Sequence, residues 1–303
     1  MRLAQWTFAC VAFVCLSGSQ ANAEATDPPQ RFAQVYGELL QGGSWGDLAG
    51  MLSDSVEILP EQGRARIGKL AAERYYATLL EQVDVIGYRR AMQERFDLGG
   101  QQLEIGDFEL RLQRDDGAER TLPGTYFEIW DSPANGDWRL RIQAWNYAEA
   151  LDDWQSLLRV DDGTGVHYAH QPILPVDGPI PYELAALHSF NAVQMLRGQH
   201  DLLSLAYAED AINVPHDSPP VVGRSAIAEF FQGYSASWPP FHFVDVNPHW
   251  VHVHGHRVLE LLSYQLRWQS GRHSGVGMGK GICLYQRGLD GTLQVYRNIA
   301  MHD

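Results

Sequence analysis

The sequence predicts an α+β protein made of two copies of one domain, each with helices packed in a curved antiparallel sheet. Three observations carry this. The first is a repeat of about 155 residues: "LEIGDFELRL" (103–112) aligns with "LELLSYQLRW" (259–268), sharing Leu103/Leu259, Glu104/Glu260, Leu110/Leu266 and Arg111/Arg267. The second is that glycines recur at the same offset, within one residue, at Gly68/Gly223, Gly99/Gly255, Gly124/Gly279 and Gly136/Gly291. Such positions mark turns of positive φ or a close backbone approach. The third is a shared order of elements, helices first and a meander of strands afterwards.

Taken in order, residues 1–23 are set apart from the fold. "MRLAQWTFACVAFVCLSGSQANA" has one basic residue, an apolar run from Trp6 to Leu16 and a closing Ala21-Asn22-Ala23. That is the layout of a secretory signal peptide, with a run too short to span a bilayer. It predicts export to a periplasmic or extracellular space. Its removal leaves 280 residues with Cys283 as their only cysteine, so no intrachain disulfide can form. Stability must then come from burial, for which two domains of this length suffice. The balance of 22 basic against 37 acidic residues in that remainder, −15, disfavours nucleic acid and anionic membranes as partners.

The first domain is read as 24–150 and the second as 181–303. Residues 151–180, rich in Pro and Gly and without a period, are read as a linker. Within each copy an amphipathic helix such as "PYELAALHSFNAVQML" comes first, then a short strand, "DSVEILP" or "DAINVP". A second helix enters through glycine, "GKLAAERYYATLL" or "GRSAIAEFFQGY", and the long strands follow.

The segments "AEDAINVPHDSPPVVGRSAIAEFF" (208–231) and "GTYFEIWDSPANGDWRLRIQAWN" (124–146) resemble the nuclear transport factor two-like superfamily. The likeness is to its SnoaL-like cyclase and ketosteroid isomerase branches, and it extends over both copies. It implies two cone-shaped, cystatin-like α+β barrels, a fold that hosts enzymes and binding proteins alike. The isomerase branch places a proton-shuttling Asp immediately before a proline. Here Leu59 precedes Pro60 and Val214 precedes Pro215, so that chemistry is not expected. A slip of one residue in the second copy would offer His216 or Asp217 instead.

Strand alternation selects candidate site residues. Glu260, Leu262, Tyr264, Leu266 and Trp268 form one face, matched by Glu104, Gly106, Phe108, Leu110 and Leu112. On the last strand Trp138, Leu140, Ile142 and Ala144 match Leu293, Val295, Arg297 and Ile299, so an arginine replaces an apolar residue. Glu260 and Arg297 are read either as a structural ion pair at the open end or as part of a pocket with Tyr234, Tyr264, Tyr285 and His302. In the first copy Tyr75, Tyr76, Trp130, Trp145 and Asn146 are candidates for an aromatic cavity or for plain core.

All twelve histidines lie in 167–303, four of them in "NPHWVHVHGHRVLE" (247–260). Alternating histidines can hold zinc, but His249, His256 and His273 fall on other faces or in turns, and no carboxylate or cysteine completes a set. A half-exposed or interface strand, covered by the other copy, is expected there, and no metal or cofactor. The leading functional expectation is binding of a small, partly apolar ligand, mainly in the second copy, the two copies forming an intramolecular pseudo-dimer. The alternatives are a cofactor-free isomerase, cyclase or hydrolase using His302, His216 or Glu260 as acid or base with Arg297 as stabiliser, and a protein-interaction module.

Overall fold

The computed structural model describes residues 27–132 and 137–303. Gly136 and the expected signal peptide lie outside the described residues. The first copy comprises α1 (Pro28–Leu40), α2 (Trp45–Ala49), β1 (Leu52–Leu59), β2 (Arg66–Ile67), α3 (Lys69–Gln82), β3 (Asp84–Asp97), β4 (Gln101–Gln113), β5 (Glu119–Asp131) and β6 (Arg139–Tyr147). A short helix α4 (Gln155–Leu158) follows. The second copy comprises α5 (Pro179–Arg197), β7 (Tyr207–Val214), β8 (Val221–Val222), α6 (Arg224–Tyr234), β9 (Phe241–His254), β10 (Arg257–Ser270), β11 (His273–Arg287) and β12 (Leu293–His302).

Each copy forms a six-stranded sheet of the same order, β2-β1-β6-β5-β4-β3 and β8-β7-β12-β11-β10-β9. The sheets are mixed rather than wholly antiparallel, because β1 runs parallel to β6 and β7 parallel to β12. A helix between the first and second long stretches of strand makes that parallel return possible. The recurring glycines do the same work twice. Gly68 and Gly223 have φ of +88° and +90° and lead into α3 and α6. At Gly124 and Gly279 a Cβ would lie 2.2 Å from the ring of Phe108 and the hydroxyl of Tyr264 respectively.

One face of each sheet curls over its own helices and the other faces the partner sheet. The core between the sheets mixes residues of both copies at equivalent places: Leu103 with Leu259, Ile105 with Leu261, Phe127 with Ile282, Ile129 with Leu284. Apolar area on both inner faces is removed from water together, which is the dominant favourable term for such packing.

The segment read as a linker is fastened. Val166 bridges to Ala65, and Tyr168 joins the core between the sheets. Arg66, 1% exposed, pairs with Asp162 at 3.1 Å and donates to the Val160 carbonyl at 2.8 Å. Among the described residues no helix is long and apolar enough to cross a membrane.

Candidate functional site

The two cones differ in what fills them. In the first, the aromatic rings of Tyr36, Tyr88, Phe108, Tyr126 and Trp145 leave about 30 Å³, room for little more than one water. In the second a cavity of about 290 Å³ lies between α5, α6 and the sheet. Strand register identifies the cause. Tyr88 opposite Leu110 becomes Val244 opposite Leu266. Tyr126 opposite Trp145 becomes Gly281 opposite Ala300. Three aromatic rings of the first cone are thus exchanged for a valine, an alanine and no side chain at all.

The cavity wall is aromatic and aliphatic, with polar groups gathered at two ends. Leu262, Tyr264 and Leu266, which share one face of β10, all line it. Glu260 continues that face inward and is fully buried; its Oε2 lies 3.2 Å from His188 Nε2 and accepts from the Tyr285 hydroxyl at 2.6 Å.

At the other end, half-buried His216 lies 2.5 Å from Glu61 of the first copy through Nδ1 and 2.8 Å from Asp217 through Nε2. Burial alone would lower its pKa, but the hydrogen bonds to Asp217 and Glu61 outweigh that and raise it to about 9. The His302 ring stands 4.5 Å away, edge to face, and its Nδ1 is 2.5 Å from the Tyr264 hydroxyl. Burial, together with the nearby charges of His216 and Lys280, lowers the His302 pKa to about 4. At neutral pH the pair is therefore one imidazolium beside one neutral imidazole.

Of the candidates read from sequence, Tyr234, Tyr264, Tyr285, His216 and His302 line this cavity, with Glu260 behind its inner end. Arg297 does not, and its pairing with Glu260 is corrected. Register shifts between Leu284 and Tyr285 on β11 and between Val295 and Arg297 on β12, so Tyr296 is an inserted residue. A β-bulge of this kind reverses the alternation. Val295 consequently lines the cone, whereas Arg297 turns to the first copy and holds Glu94 at 2.5 and 2.7 Å. The same shift in the first copy sends Ile142 to the core between the sheets.

Tyr75, Trp130 and Asn146 are also corrected, since none lines a ligand-sized space. Tyr75 packs against Tyr76 and Trp145, and Trp130 is edge-on to Phe32. Asn146 Nδ2 donates across the interface to the carbonyls of Val214, Pro215 and Ala300.

The histidine-rich strand faces the first copy. His252 Nε2 donates to the Leu98 carbonyl at 2.7 Å, and its ring stacks on Trp250. His249 donates through Nδ1 to the Pro172 carbonyl at 2.8 Å and accepts from Ser263 at 2.7 Å. Among the described residues the group close enough to share a metal ion is instead Glu61, His216 and Asp217. Its nitrogen–oxygen separations of 2.5 and 2.8 Å suit a shared proton. An ion bonded to both atoms at about 2.0 Å would require them to move apart. Sequence reasoning missed Glu61, His188 and Asn191: the first two join the site through contacts distant along the chain, and Asn191 lines the cavity from α5.

No family model and no curated protein matches this sequence. Solved structures do match. A ketosteroid isomerase-like protein from Erwinia carotovora atroseptica is 10% identical, covering 41% of this chain and 92% of its own, with a TM-score of 0.37. A putative calcium/calmodulin dependent protein kinase II association domain from Xanthomonas campestris is 15% identical over 46% and 97%, with a TM-score of 0.38. An NTF2-like protein with a cystatin-like fold from Novosphingobium aromaticivorans is 16% identical over 40% and 80%, with a TM-score of 0.32. No activity passes from these proteins at such identities. The solved structures that this chain resembles include ones described as ketosteroid isomerase-like and as NTF2-like with a cystatin-like fold, each matching a share of the chain close to one copy.

Proposed function

We propose that the second copy binds one small, partly apolar molecule in its cone while the first copy serves as a packed support. The observation that carries this is the exchange of Tyr88, Tyr126 and Trp145 for Val244, Gly281 and Ala300, which opens about 290 Å³ on an otherwise equivalent sheet. A preformed, mostly apolar hollow with a few polar groups is the usual form of a small-molecule site. The acid–base alternative is weaker on chemical grounds. His302, lowered to about 4, is a poor base at neutral pH, and both His216 nitrogens already face carboxylates. The same proposal places the protein outside the cytoplasm, on the strength of the apolar run in residues 1–23.

The test returns one ring of the first copy to the second. Ala300→Trp should weaken binding of an apolar fluorescent probe at least about ten-fold, or 1.4 kcal/mol, without lowering the thermal midpoint. Equal binding by this variant, or none by the unaltered protein, overturns the proposal.

A further inference from the structure

Resting on the reading of the second cone as a binding cavity, we propose that its ligand is a small organic amine, held as the cation with its ammonium against Glu260. The inference comes from a change of charge partners between equivalent positions. In the first copy Glu104 is held by Arg90 at 2.7 Å and Arg95 at 2.8 Å, and Glu128 shares Arg90 at 2.7 Å. On the strands, Arg90 stands opposite Phe108, while Arg95 and Glu128 stand opposite Glu104. The second copy has Val246 opposite Tyr264, and Val251 and Cys283 opposite Glu260. Both arginines have become valines and the second carboxylate has become a thiol, yet the glutamate is still there.

A fully buried carboxylate without a cation is costly unless another group supplies charge or hydrogen bonds. His188 and Tyr285 both meet one oxygen, Oε2, at 3.2 and 2.6 Å. Glu260 Oε1 has no partner among the described residues, and neither has His188 Nδ1 or Asn191 Oδ1. His188 and Asn191 line the cavity. A carboxylate oxygen and an amide oxygen only accept hydrogen bonds, and so does His188 Nδ1 in a neutral ring whose one proton sits on Nε2 facing Glu260. Unmatched acceptors at the inner end call for a ligand that brings donors, and an ammonium brings up to three. The aromatic wall adds to this, because ring faces attract cations. The net charge of −14 works in the same direction by drawing cations to the protein. The ammonium then occupies the place that the Arg90 guanidinium takes in the first copy.

Calorimetric titration with three probes of one shape, 2-phenylethylamine, 2-phenylethanol and phenylacetate, tests this at neutral pH. The amine should bind at least about ten-fold more tightly than the alcohol, and phenylacetate least tightly. Glu260→Gln should remove the preference for the amine. Val246→Arg, which restores the arginine of the first copy, should abolish amine binding, with the thermal midpoint reporting that the fold persists. Binding of the alcohol or phenylacetate as tightly as the amine overturns the proposal, as does an amine preference that survives in a folded Val246→Arg protein. If the neutral alcohol binds best and Ala300→Trp blocks it, the cavity reading stands and the amine falls. If no probe binds, both fall.

Discussion

At equivalent places on their sheets the first copy carries Tyr88, Arg90, Arg95, Tyr126 and Trp145, whereas the second carries Val244, Val246, Val251, Gly281 and Ala300. The backbone register is otherwise shared, so the hollow in the second cone is a matter of side chains and not of fold. Unpacked apolar wall forfeits dispersion contacts, and the first copy shows that the same sheet can be filled. The proposed binding role accounts for a cavity that the architecture does not impose. The first copy also keeps its buried charges balanced, with Arg90 between two glutamates, while the second retains one glutamate and no arginine beside it.

The largest expected effect breaks that balance in the first copy. Arg90→Ala leaves fully buried Glu128 without its cation, and loss of one partner of a buried pair costs about 3–5 kcal/mol. Val246→Ala at the equivalent place should cost no more than about 1.5 kcal/mol, in the range of small apolar truncations. Denaturant titration of both variants decides it, and similar losses would erase the proposed difference between the cones.

A smaller effect is expected from Arg297→Ile, which puts the first copy's Ile142 into the second. Glu94 is 30% exposed and can turn to water, so the cost should be about 1–2 kcal/mol. Probe binding should not change, because Arg297 faces the other copy; a large loss of binding would return it to the cavity.

The smallest effect is in pH dependence. His216 has a folded pKa near 9, raised from its ordinary 6.5, so its contribution is complete below 6.5 and disappears as pH rises through 9. His302 has the opposite sign: lowered to about 4, it favours the fold above pH 6.5 and loses that contribution as pH falls towards 4. The thermal midpoint should therefore fall by a few degrees on each side of about pH 6.5. Glu61→Gln should flatten the alkaline side alone, and an unchanged alkaline limb in that variant would remove the His216–Glu61 contact from the stability of the interface.

Much of the architecture is legible in the sequence because the glycines at 68, 124, 223 and 279 and the matched strands state the same fold twice. Alternation also places Leu262, Tyr264 and Leu266 on one face correctly, since β10 has no register shift against β11 there. It misleads at Arg297 because Tyr296 is one residue inserted in a regular pattern, and nothing in its chemistry announces a bulge. The contacts of His216 with Glu61 and of His188 with Glu260 span 155 and 72 residues. Such pairs depend on how sheet meets sheet and helix meets sheet, which local pattern does not encode.

Glu61 and His216 occupy the same position in their respective copies, two residues beyond the equivalent Leu59 and Val214, and they touch one another. Their neighbours Gln62 and Asp217 are likewise equivalent and also meet, at 3.3 Å. Contact between equivalent residues is the mark of a local twofold axis. A homodimer can put only like against like at such a place, glutamate against glutamate or histidine against histidine. Joining both subunits in one gene lifts that restriction, so an acid can meet a base on the axis. It also allows one cone to become solid while its twin stays hollow.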